Sequence, residues 1–300
     1  VMIWIPVTLF AAFAQTFRFM FQKQLRIQTL STGGATFARF LFAAPLIAVI
    51  ALCYPLARGY SWPKLDTLFF LYSSAGGLCQ VCATMCVVAL FQQRNFTVGI
   101  TFKKIEVLFA AGLGLIILGE GVSLPAVGVI LIGVIGVLFL SDNRQTIRSE
   151  SPRFFNYATA LGVSCGILFG ACAVLYRGAT LHIWAEDVFA RSSFTLAVVI
   201  LLQLIGMVGY LLWREPGQLR SVVMAWRTAV WVGVLSLLGS LAWFTAFALQ
   251  NAAYVKALGQ VEILFSFAVS IFVFGEKLGR GEVLGILLLS VSVVGLIFLL

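Results

Sequence analysis

The sequence predicts an all-α polytopic membrane protein whose ten transmembrane helices form two inverted five-helix repeats. Three observations carry this expectation. Of the 300 residues, 61% are hydrophobic and only 10% are charged, against about 25% charged in a soluble domain. The apolar residues run in long stretches rather than alternating with polar ones. Polar residues of the first half recur in the second at shifts of 156 or 152 positions.

Such a composition excludes a water-soluble fold. In lipid the backbone must satisfy its own N–H and C=O groups, which leaves helices or closed barrels. Barrel strands are about ten residues of alternating polarity, whereas these runs reach roughly 18 to 25 residues, the length of a spanning helix. Breaks rich in charge, Pro or Gly place the spans near 3–21, 35–54, 67–89, 97–118, 123–141, 156–176, 187–212, 228–249, 254–274 and 282–300. The first run begins at once with Ile3 and lacks a basic leader and a small-residue cleavage site, so it reads as a span. The longest polar break, Asp142 to Arg153, separates a first repeat over 1–141 from a second over 156–300, with 142–155 as linker.

The repeat is carried by charged and polar positions, which align by chance far less often than apolar runs. Asn95, Glu106, Gly119 and Glu120 return as Asn251, Glu262, Gly275 and Glu276, all 156 positions later. Glu106-Val107-Leu108-Phe109 becomes Glu262-Ile263-Leu264-Phe265, and Phe37-Ala38-Arg39 returns as Phe189-Ala190-Arg191 at a shift of 152. Five spans per copy is odd, so the second copy enters the membrane from the opposite side. Inverted repeats of this kind place a solute site near the midplane and support alternating access. Symmetry therefore points to transport.

A net charge of +9 would suggest nucleic acid for a soluble protein. Here the basic residues sit mostly in short connections, the signature of membrane orientation, so no nucleic-acid partner is expected. Connections after odd-numbered spans hold eleven Lys and Arg; those after even-numbered spans hold Arg58, Lys64 and Arg177. By that bias both termini lie outside the cytoplasm. The six cysteines fall within apolar runs and pack there as small weakly polar groups. Cys79, Cys82 and Cys86 share a helical face without a His or carboxylate, so neither a metal nor another cofactor is expected. His182, the only histidine, reads as an interfacial residue.

The site candidates are the charges inside spans, because an ion at the bilayer centre costs about 2.5 to 17 kcal/mol depending on the scale. The basic ones are Arg18, Arg39, Lys103, Lys104, Arg191 and Lys256; the acidic ones are Glu106 and Glu262. Snorkelling to the interface is the competing account for the basic residues. Repetition in both halves favours Arg39 and Arg191 as substrate contacts, joined by Lys256. Glu106 and Glu262 are the candidates for proton coupling, through a carboxyl whose affinity for protons rises on burial. Lys103, three residues before Glu106, offers an ion pair instead. Lys256 and Glu262 are about 120° apart on a straight helix, so they and Gln260 share a wall only if the helix breaks near Gly259. Gln15, Gln80, Trp243 and Gln250 complete the expected substrate lining, with helix packing as the rival explanation of the polar stripes.

Four elements, the duplicated five-span plan, the Arg early in spans two and seven, the Gly-Glu after spans four and nine, and the Gly-rich last span of each half, resemble the drug/metabolite transporter superfamily in its ten-span EamA-type branch. The resemblance covers nearly the whole chain. It implies a multi-pass protein of the bacterial inner membrane that exports amino acids or other metabolites, with termini in the cytoplasm, opposite to the charge count. Many members carry a Pro a few residues into spans four and nine, where this chain has Glu106 and Glu262. The expected activity is secondary active transport of a small metabolite, an amino acid or an organic or phosphorylated anion, by an exporter or exchanger. Its expected partners are that small-molecule substrate, membrane lipids, and a coupling proton or counter-substrate. No P-loop or convergent catalytic set is visible, so the chain is not read as an enzyme. A membrane enzyme or lipid-handling protein with a basic headgroup cavity is the alternative.

Overall fold

The structure, a computed structural model, describes residues 2–28, 30–93, 105–141, 157–185, 187–274 and 280–299. The long apolar runs form the helices α1 (Trp4–Gln28), α2 (Thr32–Arg58), α3 (Thr67–Gln93), α6 (Tyr157–Leu181), α7 (Val188–Arg214) and α9 (Trp226–Leu249). These six are long and apolar enough to cross a membrane, and shorter apolar stretches lie in α4 (Glu106–Leu118), α5 (Leu124–Ser141) and α12 (Arg280–Phe298). The chain is thus a helical membrane protein.

Local chemistry sets the helix ends. Ser31 caps α2 by accepting from the Gly34 N–H, and Asp187 caps α7 by accepting from the Ala190 N–H. α2 closes at Gly59 and α4 at Gly119, both with positive φ near 70°, where glycine carries no Cβ penalty. At the second, Glu120 N–H returns to Gly114 O at 3.1 Å. The first Gly-Glu pair is therefore a helix stop, while Gly275 and Glu276 lie outside the described residues.

Three features depart from the sequence reading. Between α7 and α9 lies a short helix, α8 (Gln218–Met224), that no apolar run announces. Two-residue strands β1 (Lys64–Leu65) and β2 (Ile183–Trp184) pair antiparallel in the connections after α2 and α6. The span expected over 254–274 is broken into α10 (Ala252–Leu258), a 3-10 turn (Gly259–Val261) and α11 (Glu262–Phe274). The break falls where Lys256, Gln260 and Glu262 needed it.

Helix bounds repeat at fixed offsets. α2 and α7 have 27 residues each and start 188 − 32 = 156 positions apart, and α4 and α11 also start 262 − 106 = 156 apart. The packing follows the same pairing. α3 lies against α6 as α1 lies against α9, while α2 packs on α7 and α5 on α12. Small residues allow the close approaches. A Cβ on Gly170 of α6 would sit 2.7 Å from Glu106 O of α4, and one on Gly136 of α5 would sit 2.9 Å from Gly285 O of α12.

Candidate functional site

Polar side chains converge in the middle of the helix assembly. Arg39, seven residues into α2 and 5% exposed, donates from Nη2 to Ser240 Oγ of α9 at 2.9 Å and from Nη1 to Thr84 Oγ1 of α3 at 3.4 Å. Among the described residues its guanidinium has hydroxyl partners but no carboxylate. Arg18 of α1, 2% exposed, donates to Gln22 Oε1 at 2.7 Å and covers the Phe19 ring at 4.0 Å. It is within electrostatic reach of both Arg39 and Glu262.

The carboxylates lie at the starts of α4 and α11. Glu106 accepts from Lys256 Nζ at 3.3 Å, with the two side chains 3% and 5% exposed. The Lys256 ammonium also faces the rings of Trp243, Phe169 and Phe247 at 4.8, 5.7 and 5.9 Å, which favours a cation in a site poor in water. Glu262 accepts from Gln15 Nε2 at 3.1 Å, and Gln15 Oε1 accepts from Trp243 Nε1 at 3.1 Å. A chain of contacts thus links the carboxylates: Glu106 to Lys256, across the Trp243 ring, through Gln15 to Glu262. The turn at Gly259 makes room for that indole, since a Cβ there would lie 2.5 Å from Trp243 Cη2.

Several sequence expectations are corrected by position. Arg18, Arg39 and Lys256 do not snorkel, because their charged groups are buried among helices. Glu106 pairs across the molecule with Lys256, while Lys103 and Lys104 lie outside the described residues. Arg191 is only half-buried, with its Nε buried and unpartnered. The equal bounds of α2 and α7 set Thr195 opposite Arg39 in register, so the 152 shift places Arg191 one helical turn off. Gln250 belongs to the end of α9, where its Oε1 accepts from Asn251 N–H at 2.8 Å. Gln80 stands in a neighbouring cluster, its Oε1 accepting from Tyr176 Oη and Gln203 Nε2, both at 2.9 Å. Gln260 is buried with neither amide atom partnered, and its Oε1 would be 2.6 Å from a Cβ on Gly133.

Tyr176, Gln203 and Arg177 are polar residues of the helix assembly that the sequence alone does not single out. Gln203 was visible as a lone amide in an apolar run. Arg177 was assigned to a connection, yet it lies inside α6, pairs with Glu120 at 2.8 Å and donates to Phe247 O at 2.7 Å, tying α6 to α4 and the end of α9. His182 is 2.8 Å from Asp66. Among the described residues no group of three or more His, Cys, Asp or Glu side chains could hold a metal.

Residues 2–142 match the model of the EamA-like transporter family. No curated protein matches the sequence. A solved structure, described only as the crystal structure of a protein, superposes with a TM-score of 0.74 at 12% identity, over 99% of this chain and 96% of the other. That likeness shows the fold, and it extends through the half of the chain beyond the family match. Residues 2–142 are thus similar to the EamA-like transporters of the drug/metabolite transporter superfamily, a family of membrane transporters of small molecules.

Proposed function

We propose that this protein is a secondary active transporter that moves a small anionic or zwitterionic metabolite by alternating access, as an exporter or exchanger in the bacterial inner membrane. The observation that carries the reading is Arg39, a buried guanidinium met by hydroxyls and by no carboxylate among the described residues. A guanidinium stays charged when buried and offers five donors in a planar fork suited to a carboxylate or phosphate. An uncompensated cation in low dielectric is costly unless water or an anion meets it. The substrate supplies that anion. Arg18 adds positive potential, Gln15, Trp243 and Lys256 link the two carboxylates, and the unpartnered amide of Gln260 is a further polar group for the substrate. Arg191, with its buried unpartnered Nε, Gln80 and Gln250 are further candidates for substrate contact outside that chain of contacts.

The architecture in this reading is ten spans in two inverted repeats, 1–141 and 156–300. The matched helix bounds and the pairing of α2 with α7 and α5 with α12 support it. Alternating access then needs contacts that can exchange between halves. Lys256 to Glu106 and Gln15 to Glu262 are such contacts, each reaching from one half to the other.

Glu262 is the leading coupling group, because it accepts a hydrogen bond from the neutral amide of Gln15 rather than from an ammonium, as Glu106 does, with the Arg18 guanidinium within electrostatic reach. Glu262→Gln keeps size and hydrogen bonding but cannot titrate. In proteoliposomes the variant is expected to keep solute exchange while losing flux driven by a pH gradient. Unchanged pH dependence of flux would remove Glu262 from proton coupling.

The charge bias, eleven basic residues against three, places the termini outside, whereas the family resemblance places them in the cytoplasm. We take the charge bias as the physical argument. A reporter active only in the cytoplasm, fused after Leu300, is expected to be silent; activity would reverse the orientation.

A further inference from the structure

The ladder formed by β1 and β2 has two unlike faces. Leu65 and Ile183 pair in register and pack inward on Phe69 and Ala179. Lys64 and Trp184, the other pair, are exposed. Lys64 and Trp184 line an open concavity of about 620 Å³ with Ser61, Trp62 and Ala185, and the two indoles are 53% and 62% exposed. The plate is held firmly for its size. Asp66, next to β1, accepts from the Phe69 N–H at 2.8 Å through one oxygen and meets His182, next to β2, through the other. The Phe69 N–H, with the His182 ring, holds the Asp66 carboxyl below its ordinary range.

Position and chemistry say what this face meets. The ladder lies between the ends of four membrane-length helices, α2, α3, α6 and α7, and so at the boundary of hydrocarbon and water, where indoles concentrate. Its conspicuous side chains are donors only: an ammonium with three N–H groups and two indole N–H groups. The described acids nearby are already engaged, Asp66 as above and Asp187 by the Ala190 N–H and the Tyr54 hydroxyl. From β1 the chain passes directly into α3, whose first turns expose Leu68 and Leu71, an apolar surface for acyl chains. A donor-rich plate next in sequence to exposed leucines fits an acceptor-rich group that carries hydrocarbon.

We infer that the outer face of the ladder is a docking site for the phosphodiester headgroup of a membrane phospholipid, held by Lys64 between Trp62 and Trp184. Free phosphate compounds share the headgroup chemistry, so the test separates the sources. The purified full chain in detergent is titrated with phosphatidylglycerol, with diacylglycerol and with glycerol phosphate, and retained ligand is counted by native mass spectrometry. One phosphatidylglycerol is expected to stay bound more tightly than diacylglycerol, and glycerol phosphate is not retained. Lys64→Gln is expected to weaken phosphatidylglycerol about fivefold. Trp62→Leu with Trp184→Leu should weaken it at least as much, whereas Trp213→Leu, at an exposed indole on the far end of α7, leaves it unchanged. Equal retention of diacylglycerol would reduce the site to apolar contact, and equal retention of glycerol phosphate would make it a soluble-ligand site. Unchanged affinity in both ladder variants would overturn the inference.

Discussion

Arg39→Gln is expected to lower transport of carboxylated or phosphorylated solutes roughly 100-fold while leaving the folded protein as stable as before. The magnitude follows from losing a two-pronged charged contact, in which each hydrogen bond to an ion contributes about 1.5–3 kcal/mol. Conserved stability follows from what Arg39 now touches: one hydroxyl at 2.9 Å and another at 3.4 Å, with no carboxylate among the described residues. Removing a cation so poorly compensated relieves a desolvation cost of its own. Arg39→Lys keeps the charge but not the fork, and an intermediate loss of about tenfold is expected. Flux in proteoliposomes and thermal unfolding in detergent read the two effects separately. A residue that only braced α2 against α9 would show the reverse pattern, with unfolding at lower temperature and unchanged flux per folded molecule.

Glu106→Gln should be destabilising by about 3–5 kcal/mol, because it leaves the Lys256 ammonium buried without its carboxylate. Lys256→Met strands the opposite charge and is expected to cost about as much. The double variant replaces an ion pair by neutral groups of similar size and should recover most of the loss, so a double-mutant cycle on unfolding will show strong coupling. Additive losses would mean that the pair is not held in solution. The same variants bear on mechanism. The pair joins α4 to the broken helix across the two halves, so a folded double variant that binds solute but no longer couples flux to a gradient would make it a moving latch.

Much of this was legible from the sequence, for physical reasons that can be named. Hydrocarbon permits few backbone solutions, so the apolar runs alone placed α2, α3, α7 and α9 within about four residues, whereas α1 and α6 run on past their expected ends to Gln28 and Leu181. The break near Gly259 was legible only as a condition, since no straight helix aims Lys256, Gln260 and Glu262 at one wall, while the apolar run itself reads as one unbroken span over 254–274. Partners were harder. Lys103 is the nearest base to Glu106 along the chain, but Lys256, 150 positions away, is the one that packing brings to it. Arg191 shows how a tripeptide match misleads: Phe-Ala-Arg recurs at 152, while the helices that carry it repeat at 156, so the two guanidiniums lie one turn apart in register. Tyr176 and Gln203 carry no clear sequence signal, because a lone polar group in an apolar run is ambiguous until its neighbour helix is known. The β1–β2 ladder was invisible, being two residues from each of two distant connections.

The central claim is that a buried cation at Arg39 awaits an anionic group on the substrate, and ligand binding to the purified protein tests it most directly. A panel of carboxylated, phosphorylated, neutral and lipophilic cationic solutes is titrated against the wild-type chain and Arg39→Gln, with thermal stabilisation as the readout. At least one carboxylated or phosphorylated solute is expected to stabilise the wild type in proportion to its concentration and to lose that effect in Arg39→Gln. Stabilisation by lipophilic cations, with none from any carboxylated or phosphorylated solute, would contradict the account.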